Sequence, residues 1–247
     1  MKRLLYGLLV TVLCAVIALC LYKTVPDVSD AVLAHKERRH ITEVVETNSE
    51  PDEVFSKEAF NQLFAINPDL VGYLVFDSGI VSSPVVQGYS NESYLKTSFE
   101  REYSSQGTLF MDYNSTLNSQ HYTIFGHNVY YDDSAMFSPV SRIVTQEEYE
   151  KNRYFSLYTY EGRIMYEITN VIYFTDDDFL DYDYTRTEFM SENDFEIWMD
   201  LNRNRNLIHA ENSITYQDHF VTLQTCKKWD DHTIILVLAK ELGRSSY

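Results

Sequence analysis

Cys226 is the only cysteine outside an N-terminal apolar segment, which holds Cys14 and Cys20. The rest of the chain therefore has one thiol and no second cysteine to bridge it. In an oxidising compartment such a thiol is either reactive or a small buried hydrophobe. The residues before it, Phe220-Val221-Thr222-Leu223-Gln224-Thr225, are β-branched and alternating, which predicts a strand. Val221 and Leu223 share one face of that strand; Thr222, Gln224 and Cys226 share the other. A thiol at a rigid strand end, on the less apolar face, is placed as a nucleophile would be. It would need a base or cation beside it, because a thiol of pKa ~8.5 is mostly protonated near neutrality.

Seven histidines supply candidate bases. His35 and His40 lie near the N-terminal apolar segment. His209, His219 and His232 fall in or beside polar loops. His121 precedes the apolar part of a strand. His127 stands apart: it follows Thr123-Ile124-Phe125-Gly126 at a strand end and precedes Asn128. Gly126 allows backbone or substrate to come close. Taken alone, His127 fits either a site or an ordinary strand end. No Cys/His metal spacing and no nucleotide-binding loop occurs, so no cofactor is predicted.

The elements that must hold these two residues are mostly strands. Short strands are predicted over 72–76, 80–87, 108–113, 122–126, 155–160 and 164–174. A hairpin closes the chain over 220–225 and 233–239. Its second strand is apolar on both faces and therefore central. Helices are predicted at Ser56–Ile66, with Phe60, Leu63 and Phe64 on one face, at Thr145–Asn152, and at Ser191–Leu201, with Phe195, Trp198 and Met199 inward. Residues 24–55 carry a weak helical stripe of Val28, Val32, Ile41, Val44 and Val45, around a basic cluster of Lys36, Arg38 and Arg39. Many short strands without a βα rhythm predict a mainly β fold, a barrel or a sandwich.

The chain opens Met1-Lys2-Arg3 and then runs apolar from Leu4 to Tyr22. At ~1.5 Å per residue, about 19 residues span roughly 28 Å, one bilayer core. Lys2 and Arg3 place the N-terminus in the cytoplasm and the rest outside. A cleaved signal peptide is the alternative, but no small-x-small site follows the run. The expected organisation is a cytoplasmic tip at 1–3, a transmembrane signal-anchor at 4–22, a juxtamembrane helical linker at 23–55 and an outer domain at 56–247. The formal net charge of −17 argues against a nucleic-acid partner.

Ile124-Phe125-Gly126-His127-Asn128, followed by Thr222-Leu223-Gln224-Thr225-Cys226, resembles the sortase family, and class B within it. Asn67-Pro68-Asp69-Leu70-Val71-Gly72-Tyr73-Leu74 is similar to the opening block of that class. Ser83 to Gly88, Asn91 to Leu95, Gly107 to Tyr113 and Ser134 to Phe137 are similar to later blocks, in the family's order. The resemblance covers most of residues 60–240. It implies a closed sortase-type β-barrel with N-terminal and peripheral helices, preceded by one transmembrane helix. It also implies transpeptidation at a Gram-positive cell surface. Cys226 would attack a C-terminal sorting signal on a surface protein or pilin. His127 would protonate the leaving amine, and a pilin lysine or cell-wall crossbridge would accept the acyl group.

Two departures stand out. Gln224 replaces the serine common before Thr-Cys in class B. The family also carries an arginine early in the strand after the cysteine, to steady the oxyanion or position substrate; here Ile234 falls at that position. Lys227, Lys228 and His232 are the nearby cations or potential cations. His232 is two residues before Ile234, so strand alternation makes it the candidate oxyanion or substrate-positioning group. A rival reading follows: a catalytically impaired relative that binds pilin or sorting signals as a surface scaffold.

Overall fold

The computed structural model describes residues 6, 13, 28–175, 178 and 182–247. Two helices lead into the barrel. α1 covers residues 28–48 and buries Ala34, Ile41 and Val45, while Val28 and Val32 face solvent. The apolar stripe thus lies further along the helix than its valines suggest. α2 runs Lys57–Ile66, and the Ser56 hydroxyl caps it by accepting from the Ala59 amide at 2.9 Å. Phe60 and Leu63 pack inward as expected. Phe64 does not: it is 45% exposed, because it lies past the edge of the buried stripe.

Eight strands close into a barrel. They are β1 (Leu70–Phe76), β2 (Ser82–Val86), β3 (Leu109–Met111), β4 (His121–Phe125), β5 (Tyr154–Tyr158), β6 (Arg163–Thr175), β7 (Phe220–Lys227) and β8 (Asp230–Ser245). Their order around the barrel is β1-β2-β3-β4-β7-β8-β6-β5, with β5 returning to β1. The β2–β3 and β4–β7 pairs are parallel and the rest antiparallel. Closure leaves no sheet edge to cover.

Strand alternation divides the apolar residues into an interior and two outer clusters. Tyr122, Ile124, Val221, Leu223, Ile235, Val237 and Ala239 fill the barrel. Ile41, Val45, Phe55, Phe60 and Leu63 pack outside it with Phe110 and Tyr73. On the opposite flank α4 (Glu192–Asn204) sets Phe195, Trp198 and Met199 against Phe220, Leu236 and Leu238. β8 lies between β7 and β6 and feeds both sides, which is why its sequence is apolar on both faces. Two capping hydroxyls match the expected helix starts: Thr145 for α3 (Gln146–Lys151) and Ser191 for α4.

Among the described residues no helix is long and apolar enough to cross a membrane. The anchor expected over 4–22 lies outside the described residues, Tyr6 and Leu13 excepted.

Candidate active site

Cys226 is the penultimate residue of β7, and His127 follows β4 by two residues. The two strands are distant in sequence but run parallel, with His121 opposite Phe220 and Phe125 opposite Gln224. The same register, carried two residues on, sets His127 beside Cys226. The Gly126 amide donates to the Gln224 carbonyl at 3.0 Å, so the pairing persists beyond the formal end of β4. The Asn128 side-chain amide then donates to the Cys226 carbonyl at 3.0 Å and ties the two strand ends together. Both Cys226 and His127 are half-buried.

His127 has a defined ring orientation. Its Nε2 lies 2.9 Å from the Leu95 carbonyl oxygen. A carbonyl only accepts, so Nε2 carries the proton and donates. In the neutral ring Nδ1 therefore keeps the lone pair. Leu95 sits in the loop between β2 and β3, whose path depends on Gly107. That glycine has φ +62°, and a Cβ there would stand 2.4 Å from the Tyr94 carbonyl oxygen and 2.7 Å from that of Leu95. Sequence reasoning found the Gly107 block but not this use of it, since a backbone carbonyl has no signature of its own.

Thr222, Gln224 and Cys226 lie on the outer barrel face, as the alternation predicts. Cross-strand register adds Ile234 opposite Cys226 on β8, and Phe174 opposite Ile234 on β6. Tyr184 packs against this row, edge-on to Phe174 at 5.4 Å, and its carbonyl accepts from Thr123 Oγ1. Burial pushes its phenol up to about 12, with Asp112, Asp183 and Cys226 acting in the same direction. Tyr184 thus keeps its proton at any physiological pH. Nothing in its sequence surroundings singled it out.

Sortase B of Staphylococcus aureus is 31% identical to this chain over 185 residues, 73% of each protein. The chain belongs to the class B sortases. Sortase B of Listeria monocytogenes is 27% identical over 180 residues, 71% of this chain and 70% of that one. The crystal structure of the S. aureus sortase B superposes with a TM-score of 0.73 at 25% identity, covering 87% of this chain and 99% of that one. The Clostridium perfringens sortase B does so at 0.68 and 26%, covering 74% and 100%. No protein-family model matches the chain. This sortase is accordingly a cysteine transpeptidase built on the eight-stranded barrel described above.

Within this class B sortase Ile234 does occupy the position opposite the cysteine. The hairpin after Cys226 is irregular on its β7 side, and His232 lies in that stretch. The β7–β8 register shifts between Cys226, opposite Ile234, and Lys227, opposite Asp230. Asp231 to Thr233 therefore have no partner on β7, while Thr233 still pairs with Thr175 on β6. His232 is exposed there, and its backbone amide donates to Asp230 Oδ1 at 3.3 Å. The two lysines have other engagements. Lys227 Nζ lies 3.5 Å from Asp230 and 5.0 Å above the Tyr173 ring. Lys228 Nζ meets Asp133 at 2.5 Å. Arg244 belongs to the far end of β8, where it donates to Glu241 and Asn118. Among the described residues no group of three or more His, Cys, Asp or Glu is placed to hold a metal ion.

Proposed function

We propose that this sortase uses Cys226 as nucleophile and His127 as acid and base to move a surface protein or pilin from its sorting signal onto an amine. The carrying observation is the parallel β4–β7 register, which sets the two residues at neighbouring strand ends. The relatives support the substrate class: the S. aureus sortase B has been solved as a substrate complex, and a sortase B has been solved with triglycine bound.

In this reading Cys226 gives its proton to His127 Nδ1, and the thiolate sulfur bonds to the carbonyl carbon of the scissile peptide. The tetrahedral intermediate collapses with cleavage of the C–N bond, and the departing nitrogen takes the proton back from His127. A thioester remains on Cys226. The incoming amine loses a proton to His127 as it attacks, the C–S bond breaks, and a new amide leaves. The Leu95 carbonyl holds Nε2–H throughout, so proton traffic is confined to Nδ1. Residues 4–22 anchor the enzyme in the membrane with the N-terminus in the cytoplasm and the domain outside, a reading supported by Lys2, Arg3 and the length of the apolar run. The acceptor is a pilin lysine or a cell-wall crossbridge.

The test is mass spectrometry of the protein incubated with candidate sorting-signal peptides. The wild type should gain an acyl mass at Cys226, and Cys226→Ala should gain none. An acyl adduct of equal yield on the alanine variant would remove Cys226 from the mechanism. A second reading, a non-catalytic scaffold that binds pilin or sorting signals, is favoured by one observation: an apolar Ile234 opposite the thiol. It requires peptide binding with no acyl adduct at all.

A further inference from the structure

The segments leaving the two strand ends meet again on the surface. Tyr130 follows His127 by three residues, and Trp229 follows Cys226 by three. Their rings stack with centroids 5.0 Å apart and planes 19° off parallel. Trp229 is 77% exposed and Tyr130 38%. Neither belongs to any of the three apolar clusters that hold the fold together. Trp229 also adopts φ +66°, the left-handed region that a bulky side chain enters at a cost. A large apolar surface is therefore displayed in a strained turn where core packing does not require it.

The stack has a chemical preference. Lys228 Nζ, paired to Asp133, lies 5.8 Å from the Trp229 ring centroid, which shows an ammonium accommodated within cation–π reach of this indole. The net charge of −17 adds a long-range pull on cations. A transpeptidase must collect an amine, and before it reacts that amine is a primary ammonium on a flexible stem.

We propose that the stacked Tyr130 and Trp229 rings form the docking platform for the acceptor amine, with the ring faces taking its ammonium and alkyl stem beside Cys226. This rests on the amine-transfer reading above. Two sources of the ammonium share the chemistry, a lysine side chain and a glycine N-terminus.

Binding to the unacylated protein tests the platform apart from catalysis. The chain has two tryptophans, and Trp198 is buried, so the indole N–H resonance of Trp229 can be followed separately. Titration with Nα-acetyl-lysine amide and with triglycine should shift it, and the arm with the larger shift identifies the source. N-acetyl-triglycine, which has no ammonium, should not shift it. In turnover, Trp229→Ala should raise the KM for the amine about tenfold, and Trp229→Phe, which keeps a ring, should restore most of it. Loss of all shifts in the wild type, an equal shift with N-acetyl-triglycine, or an unchanged amine KM in Trp229→Ala would overturn the platform. Failure of the wild type to form an acyl-enzyme would instead count against the transfer reading, while the indole titration still decides the platform.

Discussion

A single backbone carbonyl orients the His127 ring on which the proposed proton transfer depends. Leu95 accepts from His127 Nε2, and Gly107 lets that carbonyl approach. Gly107→Ala would introduce both left-handed strain and a Cβ that collides with the Tyr94 and Leu95 carbonyls. Gly79 provides the control, because it shares the left-handed conformation at φ +77° but a Cβ there meets nothing within 4 Å. Gly79→Ala should lower stability slightly and leave acylation intact. Gly107→Ala should slow acylation by about 10–100-fold, the scale expected when a reacting group is misplaced. The pH profile of Cys226 alkylation should move in the Gly107 variant and stay put in the Gly79 variant. Matching profiles would show that the Leu95 contact does not tune the pair.

Two elements remote in sequence, β4 and β7, converge through parallel hydrogen bonding, and Asn128 continues that pairing past the strand ends. Its Nδ2 donates to the Cys226 carbonyl, while its Oδ1 is buried without a hydrogen-bond partner among the described residues. Asn128→Ala should remove about 1 kcal/mol of stability. Asn128→Asp should cost more than alanine, since it presents an acceptor to a carbonyl that can only accept. Thermal midpoints should therefore rank wild type above alanine above aspartate; the reverse order of the two variants would mean the contact is not a donor bridge. At the N-terminal flank, α1 joins the same region. Arg38 pairs with Asp132 at 2.5 Å in the loop after His127, and Ile41 is buried in the outer cluster. Ile41→Ala should destabilise the protein by about 2–5 kcal/mol, whereas truncating the half-exposed Phe64 should change it little. Chemical denaturation of the two variants checks this contrast.

Across the whole molecule, stability depends on a histidine that has no part in the chemistry. His121 is buried at the outer flank of β4, stacked on Phe220 at 4.4 Å. Its Nδ1–H donates to the Arg186 carbonyl and its Nε2 accepts from Thr222 Oγ1 at 2.8 Å, so the neutral ring is satisfied at both nitrogens. Burial lowers its pKa from 6.5 to about 4. Below pH 6.5 the unfolded chain takes up a proton that the folded one refuses, so stability falls as pH drops from about 6.5 to about 4 and levels off below that. The loss from this group is on the order of 3 kcal/mol. His121→Gln, which carries a donor and an acceptor but no titrating group, should flatten the denaturation midpoint over that window. A variant with the same acid slope as the wild type would place the effect elsewhere.

The local chemistry was legible in the residues themselves. Alternation placed Cys226 on the outer face of its strand, Gly126 and Asn128 marked His127, three capping hydroxyls marked helix starts, and the doubly apolar β8 announced a central strand. These are consequences of period, propensity and hydrogen-bonding type, which act over a few residues. Tertiary structure alone decided what those residues meet. The parallel β4–β7 pairing joins positions far apart in the chain, and no local pattern encodes that register. Tyr184 packs edge-on against Phe174 from a loop that no local pattern marks. The Leu95 carbonyl reaches His127 through backbone alone, without a side chain to announce it. The irregular turn after Cys226 shows the limit most directly. Alternation is reliable only while both strands advance together. Three residues of β8 have no partner on β7 at that turn, so strand pairing with β7 does not fix what His232 meets, while Ile234, in register, lies opposite Cys226.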